Sequence, residues 1–164
     1  MFPGWWKGGF PDIEKLLRTL YEPHLTDVEF VPWFPKPDLY EAHLQAGKAY
    51  LRFARTGGQI NFDQNRDEPR VQIAALMKSR NQTWELIEFV RQTMWDGFKK
   101  AAVVPGTPHM LQASQEVLGP QLIPENIVEP RLVPITFGLH TWKPGGINYR
   151  QALADDEQNP QLKA

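Results

Sequence analysis

The chain contains no cysteine. That removes disulfides, thiolate nucleophiles and cysteine-ligated zinc at once, and it fits folding in a reducing compartment. It also lacks an excess of either charge. Eighteen Lys and Arg face 19 Asp and Glu, a formal net charge of -1, which argues against a protein whose main task is to grip nucleic acid by neutralising phosphates. No apolar run approaches the roughly 18–20 residues needed to cross a bilayer, so no membrane partner is expected. The opening Met-Phe-Pro-Gly-Trp-Trp-Lys-Gly-Gly-Phe-Pro does not read as a secretory signal, because Pro and Gly interrupt it and no basic start precedes an apolar core. P-loop, GxGxxG and GxSxG motifs are all missing, and there is no internal repeat.

What is present supports a folded domain. Of the 164 residues, 41% are hydrophobic and 23% charged, enough apolar matter for one core and too little net charge for wholesale disorder. The 15 prolines exceed average usage of about 5% and imply many extended or turning segments around a small centre. The expected division is an N-terminal aromatic arm over residues 1–10, a single α+β domain over 11–142 and a polar extension over 143–164. Phe2, Trp5 and Trp6 of the arm either pack back on their own domain or anchor on a partner. The extension, with Asp155, Asp156 and Glu157, is expected to be extended or disordered unless a partner orders it.

The clearest folding signal lies in Ala49–Phe98. Leu51 and Phe53 alternate with Arg52, the period of a half-buried strand. Gly57 and Gly58 then permit positive φ, so a sharp turn or bulge is expected, followed by an acidic loop to Pro69 that is too long for a tight hairpin. Val71, Ile73, Ala75 and Met77 share one face of a second strand, with Ala74 and Leu76 on the other. Ser79 and Gln82 match a capping box, opening a helix to about Lys100 whose apolar face holds Trp84, Ile87, Val90, Met94, Trp95 and Phe98. Upstream, Ile13, Leu16, Leu17 and Leu20 predict a helix over Pro11–Tyr21, and Asp27–Trp33 a short strand that Pro32, Pro35 and Pro37 keep from being central. Downstream, strands are expected over His109–Val117 and Arg131–Trp142, with a Pro-rich loop between them and Pro134 marking an edge or bulge. The fold class is thus α+β: a small twisted mixed or antiparallel sheet of four to five strands, packed against a long amphipathic helix and an N-terminal helix.

Candidate chemistry is thin. Asp63-Gln64-Asn65-Arg66-Asp67-Glu68 puts oxygen side chains at alternate positions, as a calcium loop does, but Glu68 stands where the sharp-turn glycine belongs and Ala74 where the bidentate Glu belongs. His24, His43, His109 and His140 show no metal-ligand spacing. Glu41 with His43, or Glu125 with Glu129, could be cast as acid–base pairs, as chance pairs in any chain of this size could. Arg52, Arg55, Arg66, Arg70 and Arg80 could form a basic surface or, more plainly, a solvated face with acidic neighbours. No catalytic residue, cofactor or metal is expected.

The motifs Phe53-Ala54-Arg55-Thr56-Gly57-Gly58, Asp67-Glu68-Pro69-Arg70-Val71-Gln72-Ile73 and Ser79-Arg80-Asn81-Gln82-Thr83-Trp84-Glu85-Leu86, with Val117–Pro120 and the Arg131–Phe137 strand, resemble the tail terminator proteins of long-tailed siphoviruses of actinobacteria. The resemblance covers about Asp12–Trp142. It implies a structural virion protein, not an enzyme, that forms a ring, usually a homohexamer, on the finished tail tube. The ring stops tube growth and joins the tail to the head-side connector, and DNA passes through it without specific recognition. The implied partners are further copies of the chain, the tail tube protein and head-side connector proteins. The implied place is the tail–head junction of a virion assembled in the host cytoplasm. On that reading Gly57, Gly58, Asp63, Arg66, Asp67 and Glu68 are candidates for a subunit-interface or lumen loop, and Phe2, Trp5 and Trp6 for a partner-anchoring arm. Alternatives are a head-completion or adaptor protein of the neck and, further off, a small metal- or ligand-binding domain.

Overall fold

A computed structural model describes residues 1–121, 129–143, 145 and 148–158. Its element order is α1 (Ile13–Tyr21), β1 (Val28–Phe30), α2 (Pro37–Gln45), β2 (Ala49–Asn61), β3 (Arg66–Leu76), α3 (Arg80–Phe98), β4 (Ala102–Val103), β5 (Met110–Leu118), β6 (Val133–Trp142) and α4 (Tyr149–Gln158). The class is α+β. The strands form one six-stranded sheet in the order β1-β2-β3-β6-β5-β4. Only β1 runs parallel to its neighbour, because α2 carries the chain across between the two, as parallel pairing requires.

The two helices on the core begin where side chains satisfy their free amides. Asp12 accepts from the Glu14 and Lys15 amides at the start of α1, and Ser79 accepts from the Gln82 amide at the start of α3, each supplying a partner the backbone lacks there. α1 buries Ile13, Leu16, Leu17 and Tyr21, and α3 buries Thr83, Leu86, Ile87, Val90, Met94 and Phe98. Both helices lie on the sheet face built from Leu51, Phe53, Val71, Ile73, Ala75, Ile135, Phe137 and Leu139. The Tyr21 hydroxyl donates to the Val90 carbonyl at 3.0 Å and ties α1 to α3. Burial pushes that phenol up to about 12. The opposite face is covered at one end, where α2 brings Tyr40 and Leu44 onto Tyr50 and Leu76.

Four expectations need correction. Trp84 and Trp95 are not core residues: they are 43% and 46% exposed. They lie 11 positions apart, hence on one flank of α3 beside the buried stripe. The Gly-Gly segment does not end a strand. β2 continues through it, with a register shift between Arg55 and Gly57, and pairs with β3 as far as Asn61 opposite Arg66. The two strands are a long hairpin turned by Phe62–Asn65, with Asn65 at φ 47°. Pro134 stands in a central strand, at neither an edge nor a bulge. It precedes Thr136, where β6 pairing with β5 begins at this end, so it interrupts no bond of that ladder. As expected from Pro32, Pro35 and Pro37, no central strand forms there: β1 is an edge strand ending at Phe30, and Pro37 opens α2, since a proline at the first helical position loses no hydrogen bond. Finally, the polar extension is helical over Tyr149–Gln158 rather than extended, and the Pro-rich loop is described only at its two ends.

Candidate assembly surfaces

The hairpin of β2 and β3 divides the six proposed contact residues among three environments. Asp63 is exposed at the turn. Asp67 is not a loop residue. It lies in β3, 2% exposed, and accepts from Arg55 Nη1 and Nη2 at 2.6 and 2.9 Å. Arg66 and Glu68 also lie in β3 and pair with each other at 2.8 Å. Arg66 and Asn61, each donating a hydrogen bond to it, hold the Glu68 carboxyl below the usual carboxylate range. The acidic stretch is therefore mostly internal ion pairs, not an array of free oxygens around a cation.

Gly58 is where the two strands come closest. At φ 103°, a Cβ added there would meet the Glu68 carbonyl oxygen at 2.2 Å and Pro69 Cα at 2.6 Å. Glycine alone permits that approach. Gly57, in open space, marks the bulge.

The hairpin tip presents what the sequence reading passed over. Phe62 is 87% exposed and Ile60 is 42% exposed. The signal was an aromatic residue set between Asn61 and Asp63 in an otherwise polar stretch. A second exposed aromatic is Trp33. Arg52 sits over both its ring and that of Phe34, at 5.5 and 5.6 Å, while donating to Gln72 Oε1 at 2.5 Å. Burial lowers the affinity of this guanidinium for its proton.

The aromatic arm folds onto the C-terminal helix of its own chain. The Trp5 and Trp6 rings lie 6.1 and 5.2 Å from the Tyr149 ring, and the Tyr149 hydroxyl donates to the Gly8 carbonyl at 2.5 Å. Lys143 Nζ stands 5.6 Å from that ring's centre, close enough for a cation–π contact. Phe2 packs on Trp6 and remains largely exposed.

Elsewhere the titratable residues serve the fold. Arg131 bonds Glu41 and Glu129, and Tyr40 donates to Glu129 at 2.7 Å, pinning the start of the last strand to α2. Arg131 holds the Glu129 carboxyl down to about 2, burial opposing it in part. Glu41 thus faces Arg131 rather than His43, which stacks on Tyr50. Glu125 lies outside the described residues. Four of the five arginines that could have formed a basic surface are engaged locally: Arg52 by Gln72, Arg55 by Asp67, Arg66 by Glu68 and Arg80 by the Pro130 carbonyl. Among the described residues no three His, Asp or Glu side chains converge as a metal site would require, and no helix is long and apolar enough to cross a membrane.

The surfaces this chain offers are thus an apolar hairpin tip, an aromatic arm and uncovered sheet edges, features suited to contact with other proteins. No curated protein sequence matches it. A family model described as phage tail termination protein matches residues 9–148, which takes in the sheet, α1, α2 and α3 but not Phe2, Trp5 or Trp6. The chain belongs to the phage tail termination protein family, and is a structural component of the phage tail.

Proposed function

We propose that copies of this chain close as a ring, six to a turn, on the end of the tail tube, stop further tube addition and offer the opposite side of the ring to the head-side connector. DNA passes through the centre without being read. The family match over residues 9–148 carries this reading. The hairpin turn, with Asp63 and Phe62, is a contact element toward a neighbour or the lumen, as are Gly57 and Gly58 through the backbone they shape. Arg66, Asp67 and Glu68 act indirectly, by bracing the hairpin. The arm residues Phe2, Trp5 and Trp6 are a second contact element, presented by Tyr149. The near-neutral charge of -1 suits a pore through which DNA slides, since a cationic wall would retain it. No step makes or breaks a bond.

Electron cryomicroscopy of intact particles tests the reading. The expected result is a single layer of this chain between tail tube and connector, and tubes of uncontrolled length when the chain is depleted. A layer bound to the portal with no tube contact would overturn it in favour of a neck adaptor.

A further inference from the structure

Among the described residues the sheet has two uncovered edges, and they match. β1 covers β2 only over Ala49–Leu51, and β4 covers β5 only at Met110 and Leu111. The ladder sets Ala54, Gln72, Thr136 and Leu118 in one row and Gly57, Arg70, Gly138 and Gln115 in another. Both edges are therefore open in the same rows, at the same height along the strands. The β2–β3, β3–β6 and β6–β5 pairs are all antiparallel, so β2 and β5 run in opposite directions. A copy generated by rotation about an axis along the strands keeps its strand direction. Its β2 then meets this β5 antiparallel, the more stable pairing. Equal height matters because head-to-tail contacts close into a ring only when no rise accompanies the rotation.

The composition of the edges points the same way. Proteins blunt sheet edges with proline and lysine. This chain has 15 prolines, yet Arg55–Asn61 and Gln112–Leu118 hold neither residue type. Exposed apolar groups flank each edge on the same side of the sheet. Ile60, opposite Asp67, is on the helix-bearing face beside Phe62. At the other edge Trp95 and Arg91 border a groove against Ser114 and Glu116, with Trp84 further along the same flank of α3. Register shifts at Arg55/Gly57, Ala113/Gln115 and Glu116/Leu118 limit any shared ladder to short runs. One edge amide, that of Arg55, is already taken by Glu14 Oε1 at 2.7 Å.

We propose that the β2 edge of one copy adds to the β5 edge of the next, with Trp95 beside β5 packing on the added strand, so that the ring is held by a sheet continuing from copy to copy. This rests on the ring reading above. The absence of cysteine makes disulfide mapping clean. Full-length chain carrying Thr56→Cys with Gln115→Cys, or Gln59→Cys with Gln112→Cys, is oxidised alone and on purified tails. The proposal expects a reducible ladder of covalent oligomers from the double variants. The single variants, and a control pair at exposed Lys36 and Lys100, should give no ladder. Trp95→Ser changes an exposed position beside the β5 edge, so it should leave circular dichroism unchanged while lowering the effective association constant measured by light scattering at least tenfold. Rings by light scattering with no ladder from either edge pair would overturn the edge contact and leave the ring standing. A strictly monomeric chain, in solution and on tails, would overturn both.

Discussion

Asp67 and Asp63 are both aspartates of one acidic stretch, and the structure predicts opposite outcomes for their loss. Asp67→Ala removes a carboxylate that is 2% exposed and accepts two hydrogen bonds from Arg55, at 2.6 and 2.9 Å. Deleting one partner of a buried ion pair costs about 3–5 kcal/mol, because the other charge is stranded. The Arg55 side chain is 37% exposed, so water takes over part of its solvation and the cost falls to about 2 kcal/mol. At this chain length such a loss lowers the melting temperature by about 4–8 °C. Asp63→Ala, at an exposed turn, should stay within about 0.5 kcal/mol and act, where it acts, on assembly. Urea unfolding of the two single variants, of Arg55→Ala and of the Arg55/Asp67 double variant measures this directly. The double variant should lose at least about 0.5 kcal/mol less than the sum of the singles. Equal stability of the Asp63 and Asp67 variants, or strict additivity in the cycle, would refute the assignment of Asp67 to bracing the hairpin.

Three further outcomes follow from the geometry. Gly58→Ala should cost about 2–4 kcal/mol through the contact with the Glu68 carbonyl and a left-handed φ of 103°, and Gly57→Ala, in open space, clearly less; equal midpoints in guanidinium chloride would remove the close-approach argument. Ile87→Ala and Val90→Ala, both fully buried, should each cost about 2–4 kcal/mol, whereas Trp84→Ala, 43% exposed, should cost under about 1 kcal/mol, all read from thermal unfolding. Glu129 has its folded-state carboxyl held from 4.5 down to about 2, so its stabilisation is complete above pH 4.5 and disappears as pH falls toward 2; Glu129→Gln should flatten the fall of melting temperature with acid over that window by on the order of 2 kcal/mol, and an unchanged slope would contradict it.

Much of the core was legible in the chain because its signals are local. Leu51 and Phe53, Val71 and Ile73, and the Ile87, Val90, Met94 and Phe98 stripe repeat at the periods of strand and helix, and Ser79 caps with its own third neighbour. What escaped depends on partners distant in sequence. Trp84 and Trp95 belong to an amphipathic pattern by hydrophobicity, yet which flank is buried is set by where β3 and β6 lie under α3. The Gly57-Gly58 pair reads as a loop until Pro69 and Glu68 are seen opposite it, at which point a bulge within a long hairpin is the only way to keep the ladder. Pro134 misled because its missing amide read as an edge or bulge, yet it sits beyond the last β6–β5 pair. Of the assembly surfaces, the arm was visible as a run of aromatics, but its seat on Tyr149 joins residues about 140 apart in the chain and left no local trace.

The division of the sheet into two ends connects this folding logic to the role. At one end β1 and α2 close both the edge and the outer face, and Tyr50 and Leu76 are buried under α2. At the other end β2 runs on from Arg52 to Asn61 with β3 as its one ladder partner among the described residues. A hairpin so exposed would be loose if its rigidity came from a core. Instead it is braced from inside by the Arg55–Asp67 and Arg66–Glu68 pairs and by the glycine-permitted approach of the two strands. Rigidity without burial is what a chain needs if it must hold a fixed contact edge ready before its neighbour arrives, since ordering that edge on binding would subtract from the association energy. The same bracing explains why so many charged residues near the hairpin are spent on one another and so few remain to bind ions or DNA. The charges make the edge stiff, and the apolar tip at Ile60 and Phe62 leaves it adhesive.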